Sequence, residues 1–353
     1  MKGLRLFLPP FAPDTAGAAS VLYPLGGLVV IVDAGGCAGN ICGFDEPRFS
    51  LSDHASVFTS AALRDMDAIL GRDEHLIAHI DQAIAGFAAV GRTFPFLALV
   101  GTPVPAVIGT DLHALARIIE QHHHIPSIAI DTDGTEAYDI GIEKTYATLF
   151  RRLARIPSSV TPRPGTLGVL GATTLDYGAD AETTLGNALR TNAKSLRLYG
   201  LSHDVTHYID AAQNERNLVI APSGLRAAQW LQKTFGTPYD IADPLAASVL
   251  PHLTLPRTAK NILILHHQIT ANTLRTHLQR HYPDALITCA TYFRQIGAIT
   301  KPQDLKLREE SDLPALITEK HYDLILGDPL YKRTIPACSG TWIPLPHPAV
   351  SGF

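Results

Sequence analysis

Residues 26–49 read GGLVVIVDAGGCAGNICGFDEPRF, and this stretch decides how the rest of the chain is interpreted. Its apolar run, Leu28–Val32, contains no polar position, which is typical of a parallel strand covered on both faces. Asp33 ends the run, and a glycine-rich turn then carries Cys37, with Cys42 five residues further on. The Cys37 thiol in such a turn could be a metal ligand, a nucleophile or a small apolar side chain.

Short apolar runs of the same kind recur from end to end and alternate with amphipathic helical patterns. Helices are predicted at Asp111–His124 and Ser223–Gly236, each followed by another strand. The predicted strands are Leu28–Val32, Phe96–Val100, Ser127–Asp131, Thr166–Leu170, Leu218–Ala221, Asn261–Leu265, Ala285–Cys289, Leu324–Leu326 and Thr341–Leu345. Because strand, turn and helix follow one another repeatedly, the sequence predicts an α/β fold with doubly wound, Rossmann-like parallel sheets.

The chain has 353 residues, more than the roughly 250–300 over which one core keeps growing. Proline-rich segments at 155–165 and 250–260 resemble linkers. We therefore predict three α/β domains, at residues 1–157, 165–250 and 258–353. Ligands of such folds bind beyond the carboxyl ends of the strands. The residues that follow predicted strands there are Cys37, Thr102, Ala172, His266 and Asp328.

Composition excludes several classes of protein. The net charge is −4 and 18% of the residues are charged, so neither nucleic-acid binding nor a disordered acidic tail is indicated. No apolar stretch reaches the roughly 18 residues of a membrane span, and we expect a cytoplasmic protein. The four cysteines, at 37, 42, 289 and 338, suit a reducing compartment rather than a disulfide framework. The chain lacks the G-x-x-x-x-G-K-[ST] pattern of a Walker-type ATP site.

The histidines indicate a functional site less clearly than the Cys37 turn does. His203 and His207 are spaced so that a helix would place both on one face, but two histidines do not make a zinc site. The run at 122–124 ends a predicted helix, where imidazoles meet the negative end of the helix dipole. His266 and His267 close an apolar strand, and both a structural and a catalytic role stay open for them.

The opening stretch resembles the segment of nitrogenase component 1 proteins that carries the central cysteine of their bridging cluster. Further segments resemble that family in order along the chain. They are LVGTPVPAVIGTDLHALA (99–116), LGVLGATTLDYGADAETTLGNAL (167–189), NLVIAPSGLRAAQWLQKTFGTPYDI (217–241), NILILHHQITANTLRTHL (261–278) and DLILGDPLYKR (323–333). The resemblance thus covers nearly the whole length.

Membership of this family implies three doubly wound domains around a central cleft. It also implies an oxidoreductase that receives electrons from an ATP-dependent iron protein, which would carry the nucleotide site that this chain lacks. The chain would pair as a homodimer or with a homologous subunit and reduce a small-molecule or tetrapyrrole substrate in the cleft. Two alternatives stay open: a scaffold that assembles a metal cluster or tetrapyrrole cofactor without turnover, and a metal-free protein that binds a small molecule.

The resemblance is carried over residue by residue. Cys37 matches the central cysteine of the family, whereas the positions of two other family cysteines hold Pro13 or Asp14 and Thr102 or Pro103. Two such chains lack the thiolates for an eight-iron cluster, so the resemblance implies one [4Fe–4S] cluster shared between two subunits. Cys42, by ligand softness, and Asp14, by position, are the candidates for its other ligands.

The residues around the predicted cluster complete the candidate site. Gly36 and Gly39 would let backbone amides approach the cluster. Arg48, with Asp45 and Glu46, would frame the cluster or the contact between subunits, with a solvated charged turn as the alternative. The family's active-site ligands have no secure match, so no catalytic residue is assigned.

Overall fold

The fold is α/β, as the sequence predicts, and its strands form three parallel sheets. The computed structural model describes residues 5–41, 55–63, 73–155, 161–249, 253–335 and 340–352. Every strand pairing among these residues is parallel, which requires a crossover connection between consecutive strands. No helix in these ranges is both long and apolar enough to span a bilayer.

The first sheet has the strand order β2-β1-β3-β4. Its strands are β1 (Leu28–Val32), β2 (Val57–Ser60), β3 (Leu97–Gly101) and β4 (Ser127–Ile130). The helices of this part are α1 (Asp14–Leu22), α2 (Gly36–Ile41), α3 (Asp73–Ala89), α4 (Pro103–Ile108), α5 (Leu112–His123) and α6 (Tyr138–Leu153). The central strands β1 and β3 are buried at every position, because helices cover both faces of the sheet.

The second sheet has the order β6-β5-β7-β8. Its strands are β5 (Arg163–Leu170), β6 (Ser195–Leu198), β7 (Asn214–Val219) and β8 (Tyr239–Ile241). The helices of this part are α7 (Thr174–Tyr177), α8 (Ala181–Leu189), α9 (Thr206–Ile209), α10 (Leu225–Phe235) and α11 (Pro244–Val249). Gly236 follows the last residue of α10 and caps the helix with a φ of 75°, a conformation that glycine adopts readily.

The third sheet has the order β11-β10-β9-β12-β13. Its strands are β9 (Asn261–Leu265), β10 (Leu286–Thr291), β11 (Leu305–Lys306), β12 (Leu324–Gly327) and β13 (Thr341–Pro344). The helices of this part are α12 (Gln268–His281), α13 (Asp312–Lys320) and α14 (Pro348–Ser351). The first and third sheets lie within the first and third predicted domain ranges, whereas the second sheet begins at Arg163, two residues before its predicted range of 165–250. The domain boundaries themselves stay a prediction.

One hydrophobic core contains residues from all three sheets, and the buried residues of α6 belong to the same core. Phe150 of α6 packs against Tyr199 and Tyr208 of the second part, at ring-centroid distances of 4.8 and 4.9 Å. At the other end of α6, the ring of Tyr138 contacts Phe293 of the third part at 5.1 Å. The three parts therefore meet along α6 instead of being separated by solvent.

The helices α1 and α6 cross so closely that only glycine fits at the crossing. A side chain at Gly17 would place its Cβ 1.9 Å from the Tyr138 carbonyl oxygen, and one at Gly141 would lie 1.8 Å from the Asp14 carbonyl oxygen. Glycine is therefore required at both positions, because the atoms in the way belong to backbone and cannot rotate aside. The crossing fixes the N-terminus of α1, and with it Asp14, against α6.

Candidate functional site

The Cys37 turn is a strand-to-helix connection held by the carboxylate of Asp33. This buried side chain follows β1 directly. Its Oδ2 accepts a hydrogen bond from the backbone N–H of Ala38 at 2.7 Å, which caps α2, and its Oδ1 accepts one from the Ser60 hydroxyl at 2.8 Å. Gly35 takes the left-handed φ of 110° that the sharp turn requires. Asp33 thereby ties β1, β2 and α2 together at the carboxyl edge of the first sheet.

Cys37 is half-buried in the first turn of α2, beside two exposed glycines. No described atom lies within 4 Å of the position that a side chain at Gly35 or Gly36 would occupy. Partial burial raises the pKa of the Cys37 thiol, and the nearby negative charge of Asp33 raises it further. The thiol therefore lies at an open surface and is protonated near neutral pH unless a metal ion or another cation stabilises its thiolate.

Replacing Asp33 by asparagine is expected to lower the pKa of the Cys37 thiol, because the substitution removes the negative charge that raises this pKa. The amide oxygen of asparagine can still accept the Ala38 N–H, so α2 should keep its cap. The measurement is the rate of alkylation of Cys37 by iodoacetamide as a function of pH, read from the Cys37 peptide by mass spectrometry. An unchanged pH profile would show that Asp33 does not influence the thiol.

Asp14 begins α1 and is fully buried. Its carboxylate accepts hydrogen bonds from the backbone N–H groups of Asp133 and Gly134, at 3.2 and 2.8 Å, and from the Lys144 ammonium at 3.3 Å. These donors belong to the loop after β4 and to α6, so Asp14 connects α1 to both. Its role as a cluster ligand stays a prediction, and binding iron would require its carboxylate to leave some of these donors.

The positions predicted to match the three family cysteines lie along one edge of the first sheet. Gly134, which donates to Asp14, lies against Pro103, since a Cβ at Gly134 would be 3.0 Å from the Pro103 Cγ. Thr102 donates its hydroxyl to the Val32 carbonyl at 2.8 Å, just ahead of the Cys37 turn. α1 also contacts α2. Asp14 and Pro103 are thus connected through Gly134, and Thr102 is bonded to the strand that leads into the Cys37 turn. That these positions form one cluster site stays a prediction.

Several predicted site residues lie outside the described residues: Cys42, Asp45, Glu46 and Arg48, and Cys338 as well. Gly36 and Gly39 both belong to α2, where Gly36 is the first residue. Cys289 is buried in β10, and its burial raises the thiol pKa to about 12, as expected for a structural cysteine. Within the described part of the chain, no three His, Cys, Asp or Glu side chains form a group suited to a metal ion.

The histidines predicted from the sequence fall in three places. α5 ends at His123, as predicted for the 122–124 run, and the His123 ring lies 2.6 Å from Asp81. His203 precedes α9, which begins at Thr206, so His203 and His207 do not share a helix face. His266 and His267 are buried at the end of β9, and His267 caps α12 by accepting the Thr270 N–H.

Sequence reasoning did not find the polar residues that surround this histidine pair. Tyr138, Asp176 and His347 are buried beside it and are hydrogen-bonded to one another. They are separated by up to 209 positions along the chain. The sequence offered one hint of a shared site: each of these residues follows a strand or begins a helix.

A family model matches the chain, and two solved structures have a similar fold. A family model described as "Nitrogenase component 1 type Oxidoreductase" matches residues 13–246. The solved structure "Nitrogenase Cp1 at pH 6.5" is similar with a TM-score of 0.70 and 12% identity, over 99% of this chain and 88% of that one. "Nitrogenase Cp1 at pH 5" is similar with a TM-score of 0.65 and 13% identity, over 93% and 81%. A search of curated protein sequences gave no match.

Proposed function

Because the chain belongs to the nitrogenase component 1 type oxidoreductase family, we propose that it is the catalytic component of a nitrogenase-like oxidoreductase. It accepts electrons from an ATP-dependent iron protein through a [4Fe–4S] cluster that bridges two subunits, either two copies of this chain or this chain and a homologue. The electrons reduce a small-molecule or tetrapyrrole substrate in the cleft between the three sheets.

The position of Cys37 is the observation that carries this proposal. A shared cluster needs a thiol that points to a surface where a second subunit can reach it, and Cys37 is half-exposed beside glycines that leave the surface open. Cys289, the other described cysteine, is buried in the third sheet and does not meet this requirement. The residues therefore fit a shared cluster to which each chain gives Cys37.

The remaining ligands are proposed from chemistry. Iron–sulfur clusters prefer thiolates, which favours Cys42 over Asp14, whose carboxylate already has three hydrogen-bond donors. When bound, the cluster supplies one-electron transfer at a potential set by its ligands and by neighbouring amides. The exposed glycines of the turn leave room for such amides from the partner subunit.

The test is anaerobic purification of the wild-type protein and of Cys37→Ala, with iron and sulfide counted per chain. One cluster shared by two chains gives about two irons per chain, with an EPR signal of a reduced [4Fe–4S] cluster after dithionite. Cys37→Ala is expected to lose the iron without unfolding, because α2 is capped by Asp33 and not by the thiol.

The matched control is Cys289→Ala, which removes a thiol of the same kind from the core of the third sheet and should keep the full iron content. A Cys37→Ala protein that retains its iron would contradict the proposed ligand. Iron binding without multiple-turnover reduction in the presence of the iron protein would instead favour a cofactor-assembly scaffold, and a stable iron-free protein would favour a metal-free binding function.

A further inference from the structure

A groove of about 730 Å³ lies at the carboxyl edge of the third sheet. Residues 6–9 form one of its walls. The loops after β12 and β13 form the other, with Pro329 and Leu330 following β12 and Pro346 following β13. Ligands of parallel α/β sheets bind outside the carboxyl ends of the strands. The volume lies within the range of roughly 300–1,000 Å³ that is usual for small-molecule sites. Both the place and the size of this groove are therefore those of a binding site.

The wall formed by residues 6–9 is fixed by the carboxylate of Glu310. Its two oxygens accept hydrogen bonds from the backbone N–H groups of Leu6, Phe7 and Leu8, and the shortest of these bonds, from Leu8, is 2.7 Å. Glu310 is only 9% exposed, and the side chain of Leu8 is buried in the core. Hydrogen bonds to a charged acceptor are among the stronger ones in proteins. This wall is therefore in place before a ligand binds.

The opposite wall is fixed by a second carboxylate. Asp328 directly follows β12 and is fully buried. It accepts one hydrogen bond from the backbone N–H of Leu330 and one from that of His347, both at 2.8 Å. The first donor lies in the loop after β12 and the second in the loop after β13, so Asp328 ties the two loops to each other. A groove with two preformed walls loses little conformational entropy when a ligand binds.

The groove presents apolar side chains to solvent. Leu6 and Phe7 are 82% and 54% exposed, and the prolines Pro9, Pro329 and Pro346 are exposed beside them. Single apolar side chains are ordinary on protein surfaces, whereas a contiguous group of them along a groove is typical of a binding surface. A ligand with a hydrocarbon body would remove this apolar area from water, so the lining favours an apolar ligand.

Arg333 is the one charged side chain among the residues that line the groove. It is exposed, and its guanidinium forms no hydrogen bond or ion pair with any residue that the structure describes. A guanidinium pairs with a carboxylate through two parallel N–H···O bonds. A phosphate monoester carries nearly two negative charges near neutral pH and would leave one of them unmatched beside apolar walls. One cation among apolar side chains therefore favours a single carboxylate.

We infer that this groove binds an apolar carboxylate, that is, a small molecule with one carboxylate group and a hydrocarbon body. Arg333 holds the carboxylate, and the body lies between residues 6–9 and Leu330 of the opposite wall. No residue of the first sheet lines the groove, so this site is separate from the one proposed for the cluster. The inference does not depend on the proposed function.

The test is the binding of decanoate to the full chain, measured by isothermal titration calorimetry. The wild type is expected to bind one decanoate per chain. Arg333→Gln should weaken this binding about tenfold, because the substitution removes charge-assisted hydrogen bonds. Decan-1-ol has the same hydrocarbon body without the charge, so it should bind the wild type and Arg333→Gln with equal affinity. The matched control is Lys332→Gln, which removes a neighbouring exposed cation that does not line the groove and should keep the wild-type affinity for decanoate.

A second pair of variants tests the apolar wall. Leu6→Ser keeps the backbone N–H that Glu310 accepts and removes the apolar side chain. It should weaken the binding of decanoate and of decan-1-ol alike, by roughly fivefold. Val107→Ser changes a side chain of α4 that is 86% exposed and does not line the groove. This control should leave both affinities unchanged.

The inference is overturned if decanoate does not saturate one site per chain in the wild type. Equal affinities of the wild type and Arg333→Gln for decanoate would overturn it as well. A loss in Lys332→Gln as large as that in Arg333→Gln would do the same, because the carboxylate would then respond to general positive charge and not to the groove. None of these results bears on the iron content, which tests the proposed function separately.

Discussion

The substitution Gly141→Ala is expected to destabilise the protein by about 3 kcal/mol or more, at the upper end of the range for overpacked sites. The added Cβ would lie 1.8 Å from the carbonyl oxygen of Asp14, and the reciprocal contact of Gly17 with the Tyr138 carbonyl leaves no room on the other side of the crossing. The two helices must separate to admit the methyl group. Urea unfolding followed by circular dichroism measures the loss.

The matched control is Gly86→Ala, on the exposed face of α3, where no described atom lies within 4 Å of the added methyl group. Alanine is the better helix former there, so this variant should be more stable than the wild type by roughly 0.5–1 kcal/mol. If Gly141→Ala instead unfolds at the same urea concentration as the wild type, α1 and α6 do not cross as closely as the structure shows.

The sequence predicted every central strand and two edge strands, β4 and β13, and missed the other four edge strands. β1 and β9 have the predicted limits, because their fully buried positions are all apolar and therefore mark the strands in the sequence. The strands that were not predicted are β2, β6, β8 and β11. Each of them lies at the edge of its sheet. An edge strand is partly solvated, so it needs few apolar residues and leaves little pattern in the sequence.

The candidate site could be predicted only where its residues are neighbours in the sequence. The Cys37 turn could be recognised because Asp33, the glycines and the cysteine are consecutive and form one strand-to-helix connection. The cluster around His347 could not, because its residues come from three parts of the chain and only the packing of the sheets on α6 brings them together. Its members are ordinary Tyr, Asp and His residues whose role depends on their burial.

Acidification from pH 6.5 to pH 5 is expected to lower the free energy of unfolding through His266 and His267. Burial depresses both pKa values in the folded state below the usual 6.5. Below pH 6.5 the unfolded chain therefore binds more protons than the folded one, and stability falls as the pH falls. Each histidine approaches a slope of about 1.4 kcal/mol per pH unit below pH 6.5. Because the unfolded imidazole is only half protonated at pH 6.5, the pair contributes about 3 kcal/mol over this interval.

Buried carboxyl groups raise the free energy of unfolding as the pH falls, which opposes the effect of the histidines. Burial raises the pKa values of Asp139, Glu143 and Asp243, so the folded state takes up protons at these sites before the unfolded chain does. Their protonation stabilises the folded state as the pH falls toward the usual carboxyl range near 4. The measured loss for the wild type is therefore smaller than the histidine contribution alone.

The variant His266→Gln separates the two effects, because it removes one depressed histidine and leaves the carboxyl groups in place. Its unfolding free energy should fall less steeply than that of the wild type below pH 6.5, by about 1.4 kcal/mol per pH unit. Urea titrations at a series of pH values give the slopes, with the exposed His122→Gln as the control that keeps the wild-type slope. Equal slopes for His266→Gln and the wild type would mean that the His266 ring is charged in the folded protein.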